Sequence, residues 1–221
     1  MSLTLHFHPL SSFCHKVLIA LYENDTPFTP QMVDLGNAAQ RDALRKLWPV
    51  GKFPVLRDDT CGETVPESTI IIEYLDQHYP GKTKFIPADA EQARATRMSD
   101  RFFDLHIHMH MQKIVGDRLR PADKKDPHGV EDARARMAAT LGMVEQDMAS
   151  RNVASKPWAA GETFTLADCA AAPALFYADK VAPLLPAFPN VAAYLDRLKQ
   201  RPSYARALKE AEPYFKFFPK E

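Results

Sequence analysis

The stretch PLSSFCHKVLIAL, residues 9–21, opens on a serine pair, sets Cys14 three residues after Ser11, and then turns apolar. From Ser12 onward Cys14, Val17, Leu18 and Leu21 share one stripe of a helix. Immediately before it, LTLHF places Leu3, Leu5 and Phe7 on one face of a strand and Thr4 and His6 on the other, with His8 at the strand end. A strand therefore feeds a helix whose first turn carries Ser11 and Ser12. That turn lies at the positive end of the helix dipole, where a thiol loses its proton more readily.

Outward from this unit the order continues as β-α-β-α-β-β-α. TPFTPQMVDL reads as a short strand after a proline, and NAAQRDALRKL as the second helix. FPVLRDD and GETV read as two strands joined by the DDTCG turn. ESTIIIEYLDQHY returns to helix and stops at PGK. Beyond PGKTKFIPADA, residues 80–90, strand patterning disappears. One long helix is expected over DAEQARATRMSDRFFDLHIHMHMQKIVGDRL and another over GVEDARARMAATLGMVEQDMAS. TFTLADCAAAPALFYADKV, NVAAYLDRLKQR and SYARALKEAE supply three more, which suggests an antiparallel bundle. TLAD reads as a capping box, Thr165 with Asp168, preceded by Phe164 as a staple, and its role is structural.

Bulk properties narrow the function. The chain has 221 residues, 46% hydrophobic and 25% charged, with 28 basic and 28 acidic side chains, so it reads as globular. A pI of about 7.1 leaves no basic footprint for nucleic acid or an anionic membrane. No apolar run approaches the ~20 residues that span a bilayer. The start MSLTLHF lacks the features of a secretory signal. Cys14, Cys61 and Cys169 are odd in number and lack zinc spacing, which fits a reducing cytoplasmic location without disulfides or a metal.

Two further segments carry chemistry. In GKFPVL, Pro54 suits only the first residue of a strand, because it has no N–H to donate. A cis Phe53–Pro54 bond there leaves the Phe53 backbone available to a peptide-like ligand, whereas a trans bond makes an ordinary loop. In VPES, Ser68 at a helix start can bond a carboxylate and Glu67 an ammonium, or the motif is a routine cap. Lowering a thiol pKa from about 8.5 to about 6.5 takes ~2.7 kcal/mol. One hydrogen bond to a charged group supplies ~1.5–3 kcal/mol and the helix end ~0.3–1, so a hydroxyl suffices without a base or metal.

SSFCHKVLIAL, WPVGKFPVL, ESTIIIEYL and GETFTLADCAAAPAL, in this order, resemble the cytosolic glutathione transferases over essentially the whole chain. The resemblance implies a thioredoxin-like α/β domain over 1–80, a linker over 81–89 and an all-helical domain over 90–221. It also implies a serine-type, theta-, phi- or zeta-like bacterial member in which Ser11 donates its hydroxyl to the glutathione thiolate. Ser12 resembles the second serine of the zeta-like motif, but Phe13 replaces that motif's cysteine. Phe53 matches the residue whose backbone pairs with the cysteinyl unit, Pro54 the cis proline, and Glu67 with Ser68 the γ-glutamyl pair. Gln40 and Lys52 fall near the glycyl end.

For the second, electrophilic substrate, Phe13, Phe103, His106 and His110 are expected to line an apolar pocket between the two domains. His106 and His110 are four apart on one helix face and with His108 invite a metal reading, but no carboxylate falls at ligand spacing and there is no H-E-x-x-H pattern. The aromatic tail PYFKFFPKE is expected to pack on the helical domain, with a lid over the pocket as the other possibility. The expected activity is conjugation of glutathione to an apolar electrophile by a detoxifying homodimer, with peroxide reduction as a variant. The alternatives are a zeta-like isomerase, a thiol-disulfide reductase using Cys14, and a non-catalytic binding module. Packing is the expected role of Cys14, in its helix's apolar stripe.

Overall fold

The computed structural model describes residues 2–219, which group into two compact units. The first comprises residues up to Ile86 together with Pro202–Phe215, and the second begins at Pro87 and runs to Arg201, with the last residues from Lys216 added.

In the first unit, strands β1 (Leu3–Phe7), β2 (Thr29–Met32), β3 (Val55–Asp58) and β4 (Glu63–Pro66) form one sheet in the order β2-β1-β3-β4. β1 and β2 run parallel, as the crossover through helix α1 (Ser12–Glu23) requires; β3 is antiparallel to both β1 and β4. The alternation in LTLHF is realised directly, with Leu3, Leu5 and Phe7 buried and their neighbours half-buried. Helix α2 (Ala38–Leu47), capped by the Asn37 side chain, buries only Leu44; Val33, Leu44 and Val55 make a small core beside Trp48 and Phe53. Strand β3 begins at Val55, one residue after Pro54, so the proline displaces no rung of the ladder. The Phe53–Pro54 peptide is cis, and so is Leu185–Pro186, which nothing in its sequence context announces.

Helix α1 is buried almost all round, including His15 and Lys16, because it packs against both α3 (Ser68–His78) and α9 (Pro202–Ala211). Nothing local in SYARALKEAE foretells that α9 belongs with the α/β unit. Its attachment is polar at the rim and apolar below. The Tyr22 hydroxyl donates to Glu210 at 2.5 Å, the Arg206 guanidinium lies 3.9 Å from the Tyr22 ring centre, and Ser203 bonds Glu23. Beneath them the Tyr204 ring meets His15 edge-on at 6.0 Å.

The second unit is all helical. The long helix expected over residues 89–119 is present but not uniform: α4 (Ala90–Phe102) passes through a π-helical segment (Phe103–His108) into α5 (Met109–Arg118). A single wide turn shifts which side chains face inward. Phe103, Asp104, Ile107 and His108 are buried there while Leu105 and His106 are exposed, a phase that a 3.6-residue period misses. Helix α6 (Pro127–Ser150) packs on α5, and α8 (Pro189–Gln200) on α6 and α7. Helix α7 (Leu166–Val181) is the buried centre, and its alanines admit close neighbours on every side. Its start is the capping box read from sequence. Asp168 accepts from Thr165 N at 2.9 Å, and its other oxygen accepts from Ala159 N at 2.8 Å and the Tyr194 hydroxyl at 2.6 Å. Phe164 holds the Trp158 ring edge at 5.2 Å and the Arg201 guanidinium at 4.0 Å.

Candidate active site

Three backbone features of the first unit converge by topology. Strand β1 ends at Phe7 and a tight turn through His8, Pro9 and Leu10 delivers the chain to Ser11, the N-cap of α1. The turn is laced shut. Ser11 N donates to His8 O at 3.0 Å, Leu10 N to the His8 ring Nδ1 at 3.1 Å, and His15 Nε2 to Pro9 O at 2.6 Å. Continuing the β1–β3 register past His6 and Val55 sets His8 opposite Phe53, and their rings stack at 6.1 Å with planes 20° apart. Continuing the β3–β4 register past Val55 and Pro66 sets the Phe53–Pro54 peptide beside Glu67 and Ser68. Lys16 Nζ bonds Thr69 Oγ1 at 2.8 Å, tying α1 to the first turn of α3.

Ser11 is half-buried, and its Oγ accepts from Cys14 N at 3.4 Å as a helix cap. Because a hydroxyl has one hydrogen and two lone pairs, this bond leaves the O–H to donate elsewhere. Ser12 is buried and Phe13 half-buried. Phe53 lies one step beyond the ladder, with neither its N–H nor its C=O bonded among the described residues. Glu67 has φ of 70°, the left-handed region that disfavours non-glycine residues, with an exposed side chain that makes no cap bond. Ser68 begins α3 and is buried. A non-glycine residue held at positive φ, at a helix start and beside a strand edge, is a common mark of a ligand clamp.

Gln40 is placed differently. Its Oε1 accepts from Asp34 N at 2.7 Å, stitching the loop before α2, and it borders a small cavity of about 140 Å³ with His6, Gln31 and Leu44. Lys52 is exposed and forms no ion pair among the described residues.

Cys14 is completely buried, and burial pushes its thiol up to about 12, against the smaller opposing effects of bonds to Ser11 and His8. The helix start therefore does not activate this thiol, and the reductase alternative loses its nucleophile. Cys14 is a packing residue. Cys61, in the β3–β4 turn, is the exposed cysteine, 3.4 Å from the Tyr74 hydroxyl.

Of the residues expected to line an apolar pocket, Phe13 belongs to the first unit and Phe103, His106 and His110 to the second. Phe103 borders a cavity of about 240 Å³ in the helical unit with Met98, Phe102, Met143 and Met148, and neither His106 nor His110 lines it. His106 is exposed against Phe102, and His110 is half-buried with its pKa lowered mainly by burial. The buried histidine of that run is His108, with Gln112 Nε2 at 3.3 Å. A larger polar cavity of about 1000 Å³ in the helical unit includes Gln92, Arg151 and Lys156. Arg151 is committed there to the carbonyls of Trp158 and Ala159 and to Asp147, so that cleft offers little unspent chemistry.

The tail departs from expectation. Phe218 does pack on the helical unit, 5.6 Å from the Tyr177 ring. Tyr214 instead joins the first unit, where its ring meets His8 edge-on at 5.4 Å and its hydroxyl lies 3.3 Å from Met32 Sδ. From sequence His8 reads only as a strand end, and Tyr214 only as part of a tail that packs on the helical domain or lids a pocket. His8 carried one usable signal, its position at the C-terminal end of a strand leading to a helix, where α/β sites form. Tyr214 had none, since its neighbours are supplied by a helix return that local patterning does not encode.

Comparison with known proteins agrees with this fold. The family model for the glutathione S-transferase N-terminal domain matches residues 5–83, and that for the C-terminal domain matches residues 127–197. A glutathione S-transferase of Pseudomonas putida is 28% identical, covering 95% of this chain and 93% of its own. A stringent starvation protein A homolog of Haemophilus influenzae is 26% identical, covering 96% and 92%. Among solved structures, a glutathione S-transferase of Methylobacillus flagellatus with glutathione bound superposes with a TM-score of 0.83 at 25% identity, covering 93% of this chain and 98% of its own.

Proposed function

Because this chain belongs to the glutathione S-transferase family, with both domain models matched in order, we propose that it binds reduced glutathione and activates its thiol through Ser11. The observation that carries the proposal is the Ser11 hydroxyl, which accepts from Cys14 N and so keeps its hydrogen for an incoming anion at a helix N-terminus. In this reading the protein supplies a donor and the ligand supplies the sulfur, so the enzyme is serine-type, of the theta-, phi- and zeta-like branch. Phe53 offers N–H and C=O to the cysteinyl unit as an added strand residue. Glu67 takes the γ-glutamyl ammonium and Ser68, with the first turn of α3, its carboxylate. Ser12 supports the turn; Lys52 serves the glycyl carboxylate, and Gln40 reaches toward it only with its amide N–H, since its Oε1 holds Asp34 N. The thiolate then attacks an apolar electrophile, a detoxifying conjugation in the cytoplasm.

A homodimer completes the proposal. Met98, Leu105 and Met109 are exposed along α4, the π segment and α5, with Met143 exposed on α6, an apolar stripe suited to a second copy.

The test is calorimetry with glutathione beside turnover of chlorodinitrobenzene. Ser11→Ala is expected to bind glutathione as the parent does and to lose turnover by about 10²–10³-fold, the usual effect of removing one donor to a reacting anion. Unchanged turnover removes Ser11 from the mechanism. Likeness to a Haemophilus influenzae protein named for stringent starvation and not as a transferase leaves room for a second reading, a non-catalytic binding module, which the same experiment identifies as glutathione binding without turnover.

A further inference from the structure

We infer that His8 is a second donor of this site, its Nε2–H serving the electrophile and favouring those that build negative charge on an oxygen near the reacting atom. The inference deepens the reading above and rests on it.

The ring is fixed on three sides. Phe53 stacks on one face, the Tyr214 ring closes from another direction, and Leu10 N occupies Nδ1. Burial lowers the His8 pKa and outweighs the opposing charge of Asp34, so the ring is neutral near neutral pH. A neutral imidazole that accepts at Nδ1 must carry its proton on Nε2. No described residue takes that N–H, and the side chain is only half-buried. His8 can therefore donate but not accept, which excludes it as the base for the thiol; that proton leaves to solvent.

The same turn thus presents two donors of different duty. Ser11 carries its hydroxyl at the start of α1, and His8 N–H lies three residues earlier, the two residues tied by the 3.0 Å bond from Ser11 N to His8 O. Around His8 the surface is aromatic and soft, Phe53 with Tyr214 and the exposed Met32 beneath its hydroxyl. An apolar wall with one fixed N–H suits a flat electrophile bearing an acceptor group, since a donor aimed at developing charge lowers the barrier where a purely apolar wall does not.

Symmetric trinitrobenzene isolates this contribution. Glutathione thiolate adds to a ring carbon; one C–S σ bond forms, one ring π bond is given up, no group leaves, and the displaced electron pair spreads over the ring and nitro oxygens as a coloured anionic adduct. Its formation constant is read on the protein saturated with glutathione, with glutathione affinity measured separately by calorimetry. His8→Asn keeps an acceptor for Leu10 N but lacks the N–H at the Nε2 place, whereas His8→Gln carries an amide N–H there. The expected result is a formation constant about 10-fold lower or more in His8→Asn and within about 3-fold of the parent in His8→Gln. Glutathione affinity and circular dichroism stay unchanged in both. Equal adduct formation in all three proteins, or equal loss in both variants, overturns the inference alone. A parent protein that does not bind glutathione overturns the underlying reading, and this one with it.

Discussion

Acid should loosen the first unit through His15, and the size of the effect follows from where that ring lies. His15 is fully buried in α1, bonded through Nε2 to Pro9 O at 2.6 Å and covered by Tyr204. Burial holds its pKa at about 4, against 6.5 for an exposed histidine, with the bond to Pro9 and the charge of Glu210 opposing only in part. Between those values the unfolded chain binds a proton that the folded chain refuses. Stability is therefore complete above pH ~6.5 and is lost progressively as pH falls toward ~4. The whole difference is about 3 kcal/mol, of which about 2 kcal/mol is gone at pH ~5. The assay is urea unfolding at pH ~7.5 and ~5, followed by Trp48 fluorescence in a Trp158→Phe background so that the signal reports the first unit. His15→Gln keeps a donor for the Pro9 carbonyl and does not titrate. Its stability loss between the two pH values should be smaller than the parent's by about 2 kcal/mol. Parallel pH dependence in the two proteins would refute the assignment of this acid sensitivity to His15.

Two other expectations concern the site. Native protein treated with iodoacetamide near neutral pH should carry the label on Cys61 alone by peptide mass spectrometry, because Cys14 and Cys169 are buried; fast alkylation of Cys14 would restore the reductase alternative. Glu67→Gly removes the cost of a left-handed non-glycine residue, about 1 kcal/mol, which offsets the flexibility glycine adds to the unfolded chain. Its urea midpoint should stay at or above the parent's while glutathione affinity drops about 10-fold or more, as expected when a buried or clamped charge contact is lost. A lower midpoint with affinity intact would show that Glu67 serves folding and not the ligand.

Much of this architecture is written in local pattern. The two-residue period of LTLHF, the helical stripe after Ser12, the Thr165–Asp168 capping box and the loss of strand patterning after residue 80 each follow from spacing that neighbouring residues impose on one another. Ser11, Phe53 with Pro54, and Glu67 with Ser68 could be singled out from sequence for the same reason, since a cap, a proline-led strand and a helix start are local events. Their convergence was not local; it is the register of three strands that sets them side by side. Other features depended wholly on long-range packing. Burial on all sides of α1 turned Cys14 from a candidate thiol into an inert one and left His15 uncharged, because desolvation opposes charge whatever the helix end favours. The return of α9 to α1 carried Tyr214 to His8 across more than two hundred residues, and a contact of that separation leaves no period in the chain for a reader to find.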